Sequence, residues 1–65
     1  MGSSFYPELT KLLKHFDCGF IRQGKGSHEI WRSPITGKFF SVPVTINKKP
    51  TANAILKQAG INHRF

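Results

Sequence analysis

Apolar residues at Phe5, Leu9, Leu12, Leu13 and Phe16 recur every three or four positions, while Lys11, Lys14 and His15 fall between them. That period predicts an amphipathic helix of about three turns beginning near Ser4 or Phe5. Ser3 or Ser4 can cap it, Pro7 sits early where its missing N–H costs nothing, and Glu8 in the first turn suits the helix dipole. The helix is expected to end between Asp17 and Gly19, with Gly19 as the terminating residue. The pattern then changes to short runs of β-formers separated by turn residues. Phe20 to Gln23 predicts a strand, Gly24-Lys25-Gly26 a reversal, Ser27 to Arg32 a second strand, Ser33 to Lys38 a turn, and Phe39 to Val44 a third strand. Helical spacing returns at Ala52, Ile55, Leu56 and Ala59, with Thr51 as the expected N-cap. Gly60 followed by Ile61 is the signature of a Schellman stop.

The order helix, three antiparallel strands, helix predicts an α+β two-layer sandwich, α-β-β-β-α, in which both helices cover one sheet face. Residues 1–65 hold one domain with a thin core, too small for a deep enclosed site. Within the second strand, the two-residue period places His28, Ile30 and Arg32 on one face and Ser27, Glu29 and Trp31 on the other. If Ile30 faces the helices, His28 lies at the rim of the buried face and is partly shielded. Trp31 then falls on the open face, free to stack on a base or to pack against Phe39, and Glu29 points away from His28.

Charge narrows the class of partner. Ten Lys and Arg against three Asp and Glu give a net charge of +7 on 7.3 kDa, with pI about 10.2. A field of that sign suits a polyanion, nucleic acid first and an acidic protein second. The single cysteine, Cys18, forms no internal disulfide and is expected to be a small core filler, which together predict an intracellular, cytoplasmic protein. No Cys/His grouping has zinc-ligand spacing, so neither a metal nor a cofactor is expected. No apolar run is long enough to span a membrane, and the N-terminus lacks a basic-then-apolar signal pattern. His15, near a helix end, and His63, in a tail expected to fray, are assigned no role.

The chemistry converges on Gly24-Lys25-Gly26-Ser27-His28. His28 is the catalytic candidate, because imidazole titrates nearest neutral pH. Arg22 and Lys25 bring positive charge, and Gly26 and Ser27 bring backbone amides that an anion can approach closely. Lys48 and Lys49, in a basic connection, are further phosphate-contact candidates.

Four pieces of the chain together resemble the HicA family of type II toxin-antitoxin systems. They are Cys18-Gly19-Phe20 leading into Arg22-Gln23, the Gly26-Ser27-His28 motif, Val42-Pro43 ending the third strand, and Thr51 followed by Ile55-Leu56-Lys57-Gln58-Ala59-Gly60-Ile61. The resemblance implies a double-stranded-RNA-binding-domain-like fold and a metal-independent endoribonuclease, an mRNA interferase that inhibits translation. It further implies His28 as the catalytic residue and a HicB-type antitoxin that blocks this face. Many members carry a second histidine two residues after the strand-ending proline, where this chain has Thr45, so the site rests on one histidine. Pro50 stands at a position where glycine is common. Two other readings stay open: a non-catalytic RNA-binding module of double-stranded-RNA-binding-domain type, and a docking protein for an acidic partner. A pure duplex binder would carry a lysine cluster opening its second helix, and Thr51-Ala52-Asn53-Ala54 is neutral, which favours the nuclease.

Overall fold

The computed structural model describes residues 4–65; the candidate cap Ser3 lies outside them. Five elements follow in the expected order: α1 (Tyr6–His15), β1 (Gly19–Gln23), β2 (His28–Arg32), β3 (Phe39–Pro43) and α2 (Lys49–Gln58). The strands form one antiparallel sheet in the order β1-β2-β3. The α+β sandwich expected from the hydrophobic pattern is the observed architecture. Neither helix is long and apolar enough to cross a membrane.

Both helical stripes lie where their spacing put them. Leu9 and Leu13 from α1 and Ala52, Ile55 and Leu56 from α2 are buried together with Ala59, while Phe5, Leu12 and Phe16 pack at the margin. The strand alternation is correct in period but opposite in side. Trp31 is only 2% exposed and lies in the core with Phe40 and Val42, whereas His28, Ile30 and Arg32 look out from the uncovered face. The reason is area and partnership. Trp31 is the largest side chain on either face, and its indole N–H finds an internal acceptor in Glu29 Oε1 at 3.0 Å. Across the ladder it faces Phe40 rather than packing on Phe39. On the other side, Phe20 meets it edge-on with ring centroids 6.2 Å apart.

Glu29, on the same inner face, also accepts a 2.8 Å hydrogen bond from the Tyr6 hydroxyl, so one carboxylate ties α1 to β2. Burial and this neighbouring carboxylate push the Tyr6 phenol above its ordinary pKa.

The helix ends are defined by backbone geometry. At α2, Gly60 adopts φ +78°, Ile61 N–H reaches Leu56 C=O at 2.9 Å and Gly60 N–H reaches Lys57 C=O at 3.0 Å. This is the expected Schellman motif, with Ile61 buried behind it. The same pair of bonds ends α1, from Cys18 N–H to Leu13 C=O at 2.8 Å and from Asp17 N–H to Lys14 C=O at 3.0 Å. The left-handed residue there is Asp17, φ +65°, and not Gly19, which already belongs to β1. Aspartate is among the few residues that tolerate this region.

Of three further expectations, one holds and two are corrected. Ser4 does serve the start of α1, its Oγ accepting from Tyr6 N–H at 3.1 Å and donating to Ile46 C=O at 3.3 Å. Thr51, by contrast, is no cap: α2 begins at Lys49, with Lys48 at the N-cap and Pro50 in the first turn, where proline is preorganised for a helix. The C-terminal tail is held rather than frayed. Phe65 N–H donates to Asn53 Oδ1 at 2.8 Å and its ring rests on Phe5 with centroids 5.3 Å apart.

Candidate active site

The turn between β1 and β2 is closed by Gly24 N–H donating to His28 C=O at 2.8 Å and by His28 N–H donating to Lys25 C=O at 3.1 Å. Gln23 braces it from the side, its amide Nε2 donating to Gly26 C=O at 3.1 Å and to His28 C=O at 3.0 Å. Gly26 takes φ +60°, which lets the chain turn tightly, and the Gly26 and Ser27 amides take no part in the closure. Ser27 is exposed, and its carbonyl accepts Val44 N–H at 2.9 Å, continuing the β2–β3 pairing one step past Pro43.

His28 therefore starts β2 on a braced backbone, and its side chain is exposed rather than shielded. Its Nδ1 lies 2.9 Å from Ser41 Oγ. A hydroxyl can donate to a bare nitrogen or accept from a protonated one, so Ser41 supports either ring state. With Nδ1 engaged, Nε2 is the nitrogen left for a ligand. Lys25, His28, Ile30 and Ser41 line one shallow depression on the open sheet face.

Arg22 reaches this face through an irregularity. Phe20 pairs with Trp31 and Arg22 with Ile30, so Ile21 is an extra residue and β1 carries a bulge. Residues paired directly across a ladder share a face. Phe20 consequently lies on the Trp31 side, half exposed at the sheet edge, and Arg22 lies outward with Ile30; a regular strand through the same residues would turn both the same way.

The structure thus brings together His28 and Lys25, places Arg22 on the same face, and sets Gly26 and Ser27 in the adjoining turn. Lys48 and Lys49 do not line the His28 depression. They sit exposed at the start of α2, in the helical layer. Because α2 starts earlier than its apolar pattern suggests, two lysines do open the second helix, which removes the neutral Thr51–Ala54 segment as an argument against duplex binding. Ser41 and Gln23 were not singled out from sequence. Ser41 was within reach: the turn from Ser33 to Lys38, closed by Ser33 N–H to Lys38 C=O at 3.0 Å, fixes the register that pairs Ile30 with Ser41 beside His28.

Other reactive groups stand apart. Cys18 is buried, and that burial, with the neighbouring Asp17 carboxylate, pushes its thiol above the ordinary value, so it is the core filler expected rather than a nucleophile. Glu29 points to the opposite face from His28, as the strand period requires. Among the described residues, no three His, Cys, Asp or Glu side chains converge.

Fold and site together define a small basic α+β domain whose helices cover one sheet face and leave a histidine–serine–lysine cluster on the other. Residues 6–61 match the protein family described as HicA toxin of bacterial toxin-antitoxin. The chain belongs to that family, and its role is that of a toxin in a toxin–antitoxin pair. Searches of curated proteins and of solved structures find no significant match.

Proposed function

We propose that this toxin acts in the cytoplasm as a metal-independent endoribonuclease in which His28 is the single catalytic histidine, and that a HicB-type antitoxin silences it by covering the same face. The observation that carries the reading is the contact between His28 Nδ1 and Ser41 Oγ, which leaves Nε2 for a ligand in the depression that Lys25 also lines.

RNA supplies its own nucleophile, so an open surface suffices. Nε2 of His28 takes the proton of a ribose 2′-OH, and the 2′-oxygen bonds to phosphorus. The bond from phosphorus to the 5′-oxygen breaks, leaving a 2′,3′-cyclic phosphate and a 5′-hydroxyl whose proton comes from Lys25 or water. Lys25, Arg22 and the free amides of Gly26 and Ser27 stabilise the charge that develops on the non-bridging oxygens. General-base catalysis of this kind is worth about 10²- to 10⁴-fold, or roughly 3 to 5 kcal/mol.

The test is cleavage of one end-labelled RNA by the purified protein and by His28→Ala, each with and without chelator. Loss of cleavage in the variant alone, indifferent to chelator, is expected; undiminished cleavage by the variant ends the proposal. A second reading, a non-catalytic RNA-binding module, is favoured by Lys48 and Lys49 at the start of α2. It requires binding without cleavage, with Lys48→Ala and Lys49→Ala each lowering affinity and flattening its salt dependence.

A further inference from the structure

The burial of Trp31 leaves the open sheet face with a different aromatic. Phe39 is 60% exposed, the most exposed of the large apolar side chains among the described residues. It pairs with Arg32 across the β2–β3 ladder, on the face that carries His28, Ile30 and Ser41. The Arg32 guanidinium extends over Gly37 in the adjoining turn, 3.9 Å from where a side chain at that glycine would begin. From His28 to Arg32 the track runs about 13 Å at the ordinary rise of a strand. Lys25 flanks it at the histidine end, Arg22 beside Ile30 at its middle and Arg32 at the other end, and both arginines are exposed. None of the three carboxylates in the chain belongs to this face: Glu8 and Asp17 lie in α1 and its terminal turn, and Glu29 is bonded to Tyr6 on the opposite side.

Resting on the nuclease reading, we infer that the open sheet face is a track for single-stranded RNA, in which Phe39 stacks on a base flanking the scissile phosphate and Arg32 holds the neighbouring backbone. The argument is one of complementarity. A flat, acid-free face with positive charge at both ends and one bare aromatic ring matches a chain that alternates phosphates with unpaired bases. In a duplex the bases are stacked on one another, so the Phe39 ring has no base face to meet.

The experiment measures binding in the cleavage-deficient His28→Ala protein, using a short unstructured oligoribonucleotide and the same strand annealed to its complement. Tighter binding of the single strand is expected. Phe39→Ala and Phe39→Leu should weaken it about 5- to 150-fold, the range for losing one base–aromatic stack, and leave duplex binding unchanged. Phe39→Trp should keep the affinity and lose indole fluorescence on binding. Because the ring is exposed, thermal melts should show all three variants folded. The inference is overturned if the duplex binds more tightly, if the Phe39 variants bind single strands as well as the parent, or if they lose only the antitoxin, which would make the face a protein-docking surface. Cleavage by the unsubstituted protein is scored separately. If it cuts RNA while Phe39 is dispensable, only the stacking track fails; if it neither cuts nor binds any RNA, the nuclease reading and the track fall together.

Discussion

The Nδ1 atom of His28 and the hydroxyl of Ser41 stand 2.9 Å apart across two neighbouring strands, joining the residue that opens β2 to the middle of β3. If Ser41 acts by holding the imidazole, Ser41→Ala should lower cleavage about fivefold to tenfold, the equivalent of roughly 1 to 1.4 kcal/mol for one hydrogen bond. Ser41→Thr, which keeps the hydroxyl, should restore it. Nitrogen-15 NMR of the ring should show a changed tautomer balance in the alanine variant and not in the threonine variant. Equal activity in all three proteins would remove Ser41 from the mechanism.

Alkaline pH should weaken the fold through Tyr6. Its phenol pKa is raised in the folded state by burial and by Glu29. The unfolded chain therefore releases that proton first, and stability present below the ordinary phenol value of about 10 declines as pH rises through the higher folded value. The buried Cys18 thiol adds a loss of the same sign beginning at lower pH. Denaturant titrations across this range should show a shallower decline for Tyr6→Phe, alongside a lower plateau from the missing bond to Glu29.

Ser33 is fully buried, donates to Ala59 C=O at 2.6 Å and accepts from Ile35 N–H at 3.1 Å, so it clamps the β2–β3 turn to the end of α2. Ser33→Ala leaves both backbone groups unpaired and should cost about 1 to 3 kcal/mol by denaturant unfolding. RNA cleavage well below the melting transition should persist, because the clamp lies beyond the end of β2 away from His28.

Opposite changes at the two helix ends should move stability in opposite directions. Asp17→Gly relieves a left-handed aspartate and should raise stability by a few tenths to about 1 kcal/mol. Gly60→Ala puts a methyl 2.9 Å from both Ile35 Cγ2 and Thr36 Cγ2 at φ +78° and should cost about 1 to 2 kcal/mol. A change of 1 kcal/mol in so small a domain corresponds to about 4–8 °C in Tm.

Antitoxin and RNA should compete. A thermal melt of the toxin should rise when the antitoxin is added, by about 2.7 kcal/mol of added stability at a hundredfold excess over Kd. Titrated RNA should displace the antitoxin from a complex with the His28→Ala toxin. A ternary complex would place the two partners on different surfaces.

Much of this architecture was legible in the residues because helical stripes contain enough apolar positions to settle their own orientation. Leu9, Leu13, Ile55 and Leu56 left α1 and α2 one face each to bury, and Gly60-Ile61 named its own stop. β2 contained no such majority. Ile30 and Trp31 set one apolar residue against another, so alternation gave which residues share a face but not which face is covered. That choice is made by β3, where Phe40 and Val42 outweigh Phe39 with Ser41, and it reaches β2 only through the register. The start of α2 was obscured because Thr51 is a good cap by type, yet Pro50 fits equally well inside a first turn. The site was legible to the same depth: the turn, Lys25 and His28 are adjacent in sequence, whereas Ser41 joins them only by pairing, and Arg22 only through the bulge.

That bulge takes up one residue of β1 without changing which side of the sheet its two neighbours occupy. Deleting Ile21 would straighten the strand and make Phe20 and Arg22 adjacent, and ordinary alternation would then hold each on the side it already occupies, the arginine with Ile30 and the phenylalanine with Trp31. The extra residue is therefore dispensable for the placement of Arg22, and a chain shortened there should keep its arginine on the side that carries His28.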